Sequence, residues 1–115
     1  MQIHFESRDP SGSPMRAFAT RRMQFSLRRL TWLAPRATVV LSDLNGARGG
    51  LDKRCRVELT SPKTGPVVVS SVAKDWRTAL ESAIGLAARA LFRTWRKVKD
   101  RDRVPPRRRL TLPLA

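Results

Sequence analysis

Four short segments of the chain alternate between apolar and polar residues. The clearest has Cys55, Val57 and Leu59 in alternation with charged residues. A two-residue period places the apolar side chains on one face of a strand and leaves the other face to solvent, which is typical of antiparallel strands. We therefore predict strands at residues 2–7, 37–42, 53–60 and 67–72.

A first helix is predicted over residues 14–34, where apolar residues recur every three or four positions. Ser13 followed by Pro14 is typical of a helix N-cap with proline at the first helical position, and Pro35 should end the helix. Residues 14–36 contain six Arg and no carboxylate. Such a helix lacks the oppositely charged neighbours that normally stabilise an exposed face, so we expect an external anion to supply them.

A second helix should begin after Asp75, whose carboxylate can cap it. Its apolar positions keep the helical period from Trp76 to Val98, and its second half is basic. After Asp100 we expect helical order to fade, because consecutive prolines and a run of Arg occupy residues 101–115.

The predicted order β-α-β-β-β-α indicates an α+β two-layer sandwich, with two helices on one face of an antiparallel-rich four-stranded sheet. We assign one domain to residues 1–100 and a disordered basic tail to residues 101–115. The length agrees with a single domain.

The strong positive charge of the chain indicates a protein that binds a polyanion. The chain carries 24 Lys and Arg against 9 Asp and Glu, a formal charge of +15. Nineteen of those cations are Arg, whose planar guanidinium grips phosphate with two hydrogen bonds and stacks on bases. This composition favours nucleic acid over a membrane surface.

Candidate catalytic and metal-binding residues are scarce. One Cys and one His exclude an intramolecular disulfide and the usual zinc sites. We expect Cys55 to be a buried apolar residue and His4 a surface or structural one. The sequence therefore predicts a non-enzymatic protein without metal, cofactor or small-molecule substrate. No apolar run spans a bilayer and no signal peptide is recognisable, so we expect a cytoplasmic location without membrane contact.

A glycine-rich segment, residues 43–53, separates the second and third strands. It lacks the Gly-Lys-Ser/Thr ending of a phosphate-binding loop, and a strand rather than a helix follows it. From the residues alone a hairpin connection is the simpler interpretation. The alternative is a ligand contact through Arg48 and Lys53.

Several segments resemble the ribosome hibernation-promoting factor and ribosome-associated inhibitor family over about residues 1–100. They are Met1-Gln2-Ile3, Met15-Arg16-Ala17-Phe18, Asp43-Leu44-Asn45-Gly46, Arg48-Gly49-Gly50-Leu51-Asp52-Lys53 and Ala73-Lys74-Asp75-Trp76-Arg77-Thr78-Ala79-Leu80. The resemblance implies a bacterial protein that lodges in the mRNA and tRNA channel of the small ribosomal subunit. It would block initiation in stressed or stationary-phase cells. Long members carry a second, dimerising domain; we expect none here, and a monomer off the ribosome.

In that family the basic helical surface contacts ribosomal RNA. Arg22, Arg89 and Arg93 match positions that are Lys or Arg in family members, whereas Leu86 occupies a position that is commonly basic. The expected rRNA-binding residues are Arg21, Arg22, Arg28, Arg89, Arg93, Arg96 and Lys97, with Arg48 and Lys53 as additional loop contacts.

Two other classes remain open. A general double-stranded RNA-binding module has the overlapping order α-β-β-β-α and recognises A-form shape; the N-terminal strand and the Asn-Gly loop argue against it. An enzyme or small-molecule binder using the glycine loop would need an acid, base or metal set that the sequence does not supply.

Overall fold

The computed structural model describes residues 1–44 and 52–111, with side chains as far as Asp100. The elements are β1 (Gln2–Ser7), a short 3₁₀ helix (Pro10–Met15), α1 (Arg16–Ser26), β2 (Arg36–Asp43), β3 (Lys53–Thr60), β4 (Val67–Ala73) and α2 (Trp76–Thr111). The predicted α+β order is confirmed.

The four strands form one mixed sheet in the order β1-β2-β3-β4. The pairs β2–β3 and β3–β4 are antiparallel, whereas β1 runs parallel to β2. The parallel pair follows from the connection, because the 3₁₀ helix and α1 cross over between β1 and β2 and return the chain to the same end of the sheet. In register, Phe5 lies beside Val39 and Val39 beside Val57.

The core lies between the sheet and the two helices. Val39, Cys55 and Val57 on the sheet are fully buried, as are Leu80 and Leu91 on α2. All belong to a single apolar cluster that also includes residues of α1. The alternation in the sequence therefore marks the strand face that the helices cover, and the opposite sheet face is left to solvent.

The first helix is shorter than predicted. It ends at Ser26, and turns occupy the chain up to Leu33, with hydrogen bonds from Leu30 N to Leu27 O and from Leu33 N to Leu30 O. These turns bury Leu27 and Leu33 and keep a three-residue spacing. The three- to four-residue periodicity thus marked buried positions both in the α-helix and in the turns after it. The helix ends at Ser26, well before Pro35.

The start of this region also differs from the expectation. Ser13 is not a cap; Asp9 caps the 3₁₀ helix, with its Oδ1 accepting from Ser11 N at 2.8 Å. Pro14 lies within that 3₁₀ helix rather than at the first position of α1. By contrast, the Asp75 cap of α2 is confirmed, because Asp75 Oδ1 accepts from Thr78 N at 2.7 Å. That backbone hydrogen bond is the main cause of the lowered pKa of Asp75.

The long helix α2 continues to Thr111, past Asp100, where the sequence led us to expect order to fade. Up to Asp100, where the described side chains end, the last fully buried residue of α2 is Leu91, and Trp95 packs half-buried against the core beyond it. The core therefore closes well before residue 100, and the division into a domain of residues 1–100 and a basic tail stays a prediction.

Gly12 is required where the 3₁₀ helix meets the sheet. A Cβ there would collide with Ser7 Oγ and lie 3.1 Å from Leu41 Cδ1. Ser7 Oγ is already engaged, donating to Asp9 O at 2.6 Å.

We expect Gly12→Ala to lower the free energy of unfolding by about 1–3 kcal/mol, measured by urea denaturation. The neighbouring exposed change Ser13→Ala should alter it by less than about 0.5 kcal/mol; equal effects would contradict the packing argument.

Cys55 is fully buried, as predicted, and burial raises the pKa of its thiol to about 12. The native thiol should resist an aromatic disulfide reagent at pH 8 and react once the chain is unfolded.

Because the unfolded Cys55 thiol ionises at a lower pH than the buried one, its contribution to the free energy of unfolding should fall as pH rises from about 9 to about 12. Cys55→Ala should cost roughly 1 kcal/mol of stability. Rapid reaction of the folded wild-type protein with the aromatic disulfide reagent would contradict the burial of Cys55.

Candidate nucleic-acid interface

Two shallow clefts meet at Phe92 on α2. The first, of about 420 Å³, is lined by Arg89, Phe92, Arg93, Arg96, Lys97 and Asp100. The second, of about 370 Å³, is lined by Ser26, Arg28, Arg29, Leu30 and Phe92. Because Phe92 lines both, cations from the turns after α1 and cations from α2 form one continuous surface. We call it the two-helix cationic surface, formed by Arg28, Arg29, Arg89, Phe92, Arg93, Arg96 and Lys97.

Helical spacing accounts for the α2 half of this surface. Arg89, Arg93 and Arg96 or Lys97 are four, seven or eight positions apart, so they lie along one side of the helix. All four are exposed. None forms an ion pair with a carboxylate in the part of the chain whose side chains are described. Their charges are therefore free to meet an external anion.

Arg28 joins the surface from the end of α1. Its Nη1 donates to Phe25 O at 2.8 Å, and its guanidinium lies 4.4 Å from the centre of the Phe25 ring. A cation bound to a carbonyl in the last turn of a helix complements the helix dipole. Arg28 is thus held in a fixed position while its side chain remains exposed.

Arg21 and Arg22 lie earlier on α1 and line neither cleft. Arg21 is exposed, whereas Arg22 is half-buried and forms an ion pair with Glu81 of α2, at 3.8 Å. Five of the seven predicted rRNA-binding residues, all except these two, are therefore brought together at Phe92. Arg22 mainly connects the two helices, and its Nε has no hydrogen-bond partner in the described structure.

Sequence reasoning missed three residues of this region: Arg29, Phe25 and Phe92. Arg29 lies in the turns after Ser26, which bring it to the second cleft. Phe25 and Phe92 are 59% and 50% exposed and lie next to guanidinium groups. The signal was present in the sequence as aromatic residues interspersed with Arg, a pattern typical of RNA-binding surfaces.

Lys53, expected as a loop contact, is engaged within the protein. Its Nζ lies 2.9 Å from Asp43 Oδ2 and 3.2 Å from Asp52 Oδ1, and 5.6 Å from the ring centre of Trp76. The hydrogen bond with Asp43 is the largest of the effects that raise the pKa of Lys53. The cluster ties the end of β2 to the start of β3. Arg48 lies outside the described residues, and a contact from this loop stays a prediction.

Other chemistry is sparse in the described ranges. No group of three His, Cys, Asp or Glu that could hold a metal ion occurs in residues 1–44 and 52–100, whose side chains are described. Among those same residues, no helix is both long enough and apolar enough to cross a membrane. His4 is exposed on β1, as expected of a surface residue.

Two solved structures share this fold. The first is the Protein Y N-terminal domain of Thermus thermophilus, with a TM-score of 0.60 and 22% identity, covering 84% of this chain and 98% of that one. The second is a ribosomal subunit interface protein from Coxiella burnetii, with a TM-score of 0.53 and 9% identity, covering 89% of this chain and 98% of that one.

Comparisons by sequence add nothing to these structures. No family model matches the chain, and no curated protein matches it. The names of the two neighbours, Protein Y and a ribosomal subunit interface protein, support the family that the sequence resembles. The predicted resemblance is therefore confirmed at the level of the fold: this chain has the β-α-β-β-β-α architecture of the Protein Y N-terminal domain.

Proposed function

We propose that this protein is a non-enzymatic, ribosome-associated hibernation factor whose two-helix cationic surface binds ribosomal RNA. The binding place is the mRNA and tRNA channel of the small subunit. Two findings support this proposal. The first is the fold that the chain shares with Protein Y and with a ribosomal subunit interface protein. The second is the cationic surface itself.

The observation that carries the proposal is that cations of α2 and cations of the turns after α1 meet at Phe92. Six cations surround one exposed ring, and Asp100 is the one carboxylate among the residues that line the two clefts. Like charges held this close repel one another, so the surface is stabilised when a polyanion neutralises it. The phosphates of structured RNA supply closely spaced anions, and Arg binds them with two parallel hydrogen bonds.

The mechanism is occlusion rather than chemistry. A domain held in the channel by phosphate contacts excludes mRNA and tRNA by its volume. Since electrostatic contacts are reversible and weaken with salt, release needs no covalent step. The protein would act in the cytoplasm of stressed or stationary-phase bacterial cells and be monomeric off the ribosome.

The double-stranded RNA-binding alternative is less well supported by the fold. Such a module begins with its first helix, whereas here β1 pairs with β2 along six residues. Because a module of that kind binds duplexes for their shape, an excess of plain duplex RNA should displace it from ribosomes, while a channel-binding factor should stay bound.

Sedimentation tests the proposal directly. Lysates of growing and stationary-phase cells should be separated on sucrose gradients, and the protein located by immunoblotting. We expect it with small subunits and whole ribosomes, enriched in stationary phase. A protein found only at the top of both gradients, at low and physiological salt, would overturn the proposal.

Charge reversal at Arg89 and Arg93 tests the surface. With about 1.5–3 kcal/mol for each charged hydrogen-bonded contact, the double change to Glu should weaken ribosome binding by several kcal/mol. For about five phosphate contacts, the logarithm of wild-type affinity should fall against that of salt with a slope of about −4. Binding is measured by pelleting purified small subunits across a salt series.

The matched control reverses Arg36 and Arg56, which are exposed on the sheet face opposite the helices. It changes net charge by the same amount at a distance from the cationic surface. We expect it to weaken binding much less than the helix pair. Equal losses would show that net charge, rather than this face, determines binding. An affinity indifferent to salt would show that phosphate contacts do not dominate binding.

Removal of residues 101–115 tests the predicted boundary. The deleted segment carries five Arg and one Asp, a net charge of +4. Because the core of residues 1–100 already includes α2 as far as Leu91 and Trp95, the thermal midpoint should change little. Ribosome affinity at low salt should fall by less than in the Arg89 and Arg93 variant. A shortened protein that unfolds, or that loses all ribosome binding, would place the tail within the functional domain.

A further inference from the structure

An aromatic pair lies beyond the two clefts, where α2 passes the turns that follow α1. The rings of Trp32 and Trp95 have their centroids 5.3 Å apart and their planes at 80°. The Nε1 of Trp32 donates to the carbonyl oxygen of Arg29 at 3.0 Å. The edge-to-face contact and the hydrogen bond together fix the orientation of the Trp32 ring.

Although its orientation is fixed, Trp32 is 55% exposed. Trp76, by contrast, is buried in the core, and its Nε1 donates to Ser11 Oγ at 3.1 Å. Trp95 is half-buried and packs against the core, so it can brace its partner. The protein thus presents an ordered, largely open aromatic surface at Trp32 without burying it.

Two lysines flank the pair. Lys63, in the turn between β3 and β4, places its Nζ 5.4 Å from the centre of Trp32 and 5.8 Å from that of Trp95. Lys99 Nζ lies 6.0 Å from the centre of Trp95. Neither lysine forms an ion pair with any carboxylate in residues 1–44 or 52–100. Their charge is therefore available to an anionic ligand that contacts the rings.

We propose that Trp32, braced by Trp95, is a stacking site for one unpaired RNA base whose neighbouring phosphate is bound by Lys63. The proposal rests on the proposed function for the identity of the ligand as RNA. Trp95 lies three residues after Phe92 on α2, so the site continues the two-helix cationic surface along the same helix. Every base has an aromatic face, whereas a base inside a duplex is covered by its neighbours, so this site selects single strands.

The experiment compares the full-length protein with Trp32→Leu, Trp32→Phe and Lys63→Met. The probes are a fluorescently labelled 12-nucleotide single-stranded RNA of mixed sequence and the corresponding blunt RNA duplex. Anisotropy gives the affinity for each probe at several salt concentrations, and thermal denaturation of every variant reports on folding. Leu keeps an apolar side chain at position 32 but removes the aromatic face, whereas Phe restores that face.

Stacking predicts a loss of about tenfold in single-strand affinity for Trp32→Leu at every salt concentration, with an unchanged slope and no loss on the duplex. Trp32→Phe should recover most of the affinity. Lys63→Met should make the slope on single strands shallower by about 0.7, the value for one phosphate.

Three results would each overturn the stacking site. Trp32→Leu could bind the single strand with wild-type affinity, the Leu and Phe variants could lose equal affinity, or Trp32→Leu could lose as much affinity for the duplex as for the single strand. If Trp32→Leu weakens ribosome binding but not binding to the single strand, the aromatic pair docks a protein instead, and the proposal is wrong. Failure of the wild-type protein to sediment with ribosomes would refute the proposed function, whereas the oligonucleotide result decides this inference by itself.

Discussion

The packing of α2 across the sheet is the interaction on which the rest of the structure depends. One side of this helix buries Leu80, Ile84 and Leu91 against the strands, while the side that carries Arg89 and Arg93 stays in solvent. The apolar contact holds the cations in a fixed row, although their mutual repulsion opposes it. The same helix supplies the ring of Phe92 that joins its cations to those of the α1 end.

The few carboxylates of the chain are used mainly inside the fold. Asp9 and Asp75 cap helices, Asp43 and Asp52 hold Lys53, and Glu81 pairs with Arg22. These interactions fix the ends of elements and the contact between the helices. Because these carboxylates are occupied locally, they leave the α2 cations Arg89, Arg93, Arg96 and Lys97 uncompensated on the exposed side of the helix. This distribution, rather than the net charge alone, favours a polyanionic partner.

The sequence was a good guide wherever a residue's role depended on period and burial. The strands, the burial of Cys55, the Asp75 cap and the row of Arg89 and Arg93 all follow from spacings that local geometry dictates. It was a poor guide where different geometries share one spacing. The turns that bury Leu27 and Leu33 repeat every three residues, nearly as a helix does, and so concealed the end of α1. Contacts between distant segments, such as Arg22 with Glu81, have no period and could not be read from the sequence.

Exposed aromatic rings give the surface a component that salt does not screen. Phosphate contacts weaken as ions compete for the charges, and they do not distinguish a paired strand from an unpaired one. A ring such as Phe92 or Trp32 gains energy from the face of a base, which is accessible only where the strand is unstacked. A face that combines Arg with ordered rings is therefore suited to RNA in which helices and unpaired nucleotides lie side by side. In the complex that we propose, the cations would fix where the protein sits on RNA helices, and the rings would confine it to places where a base is free.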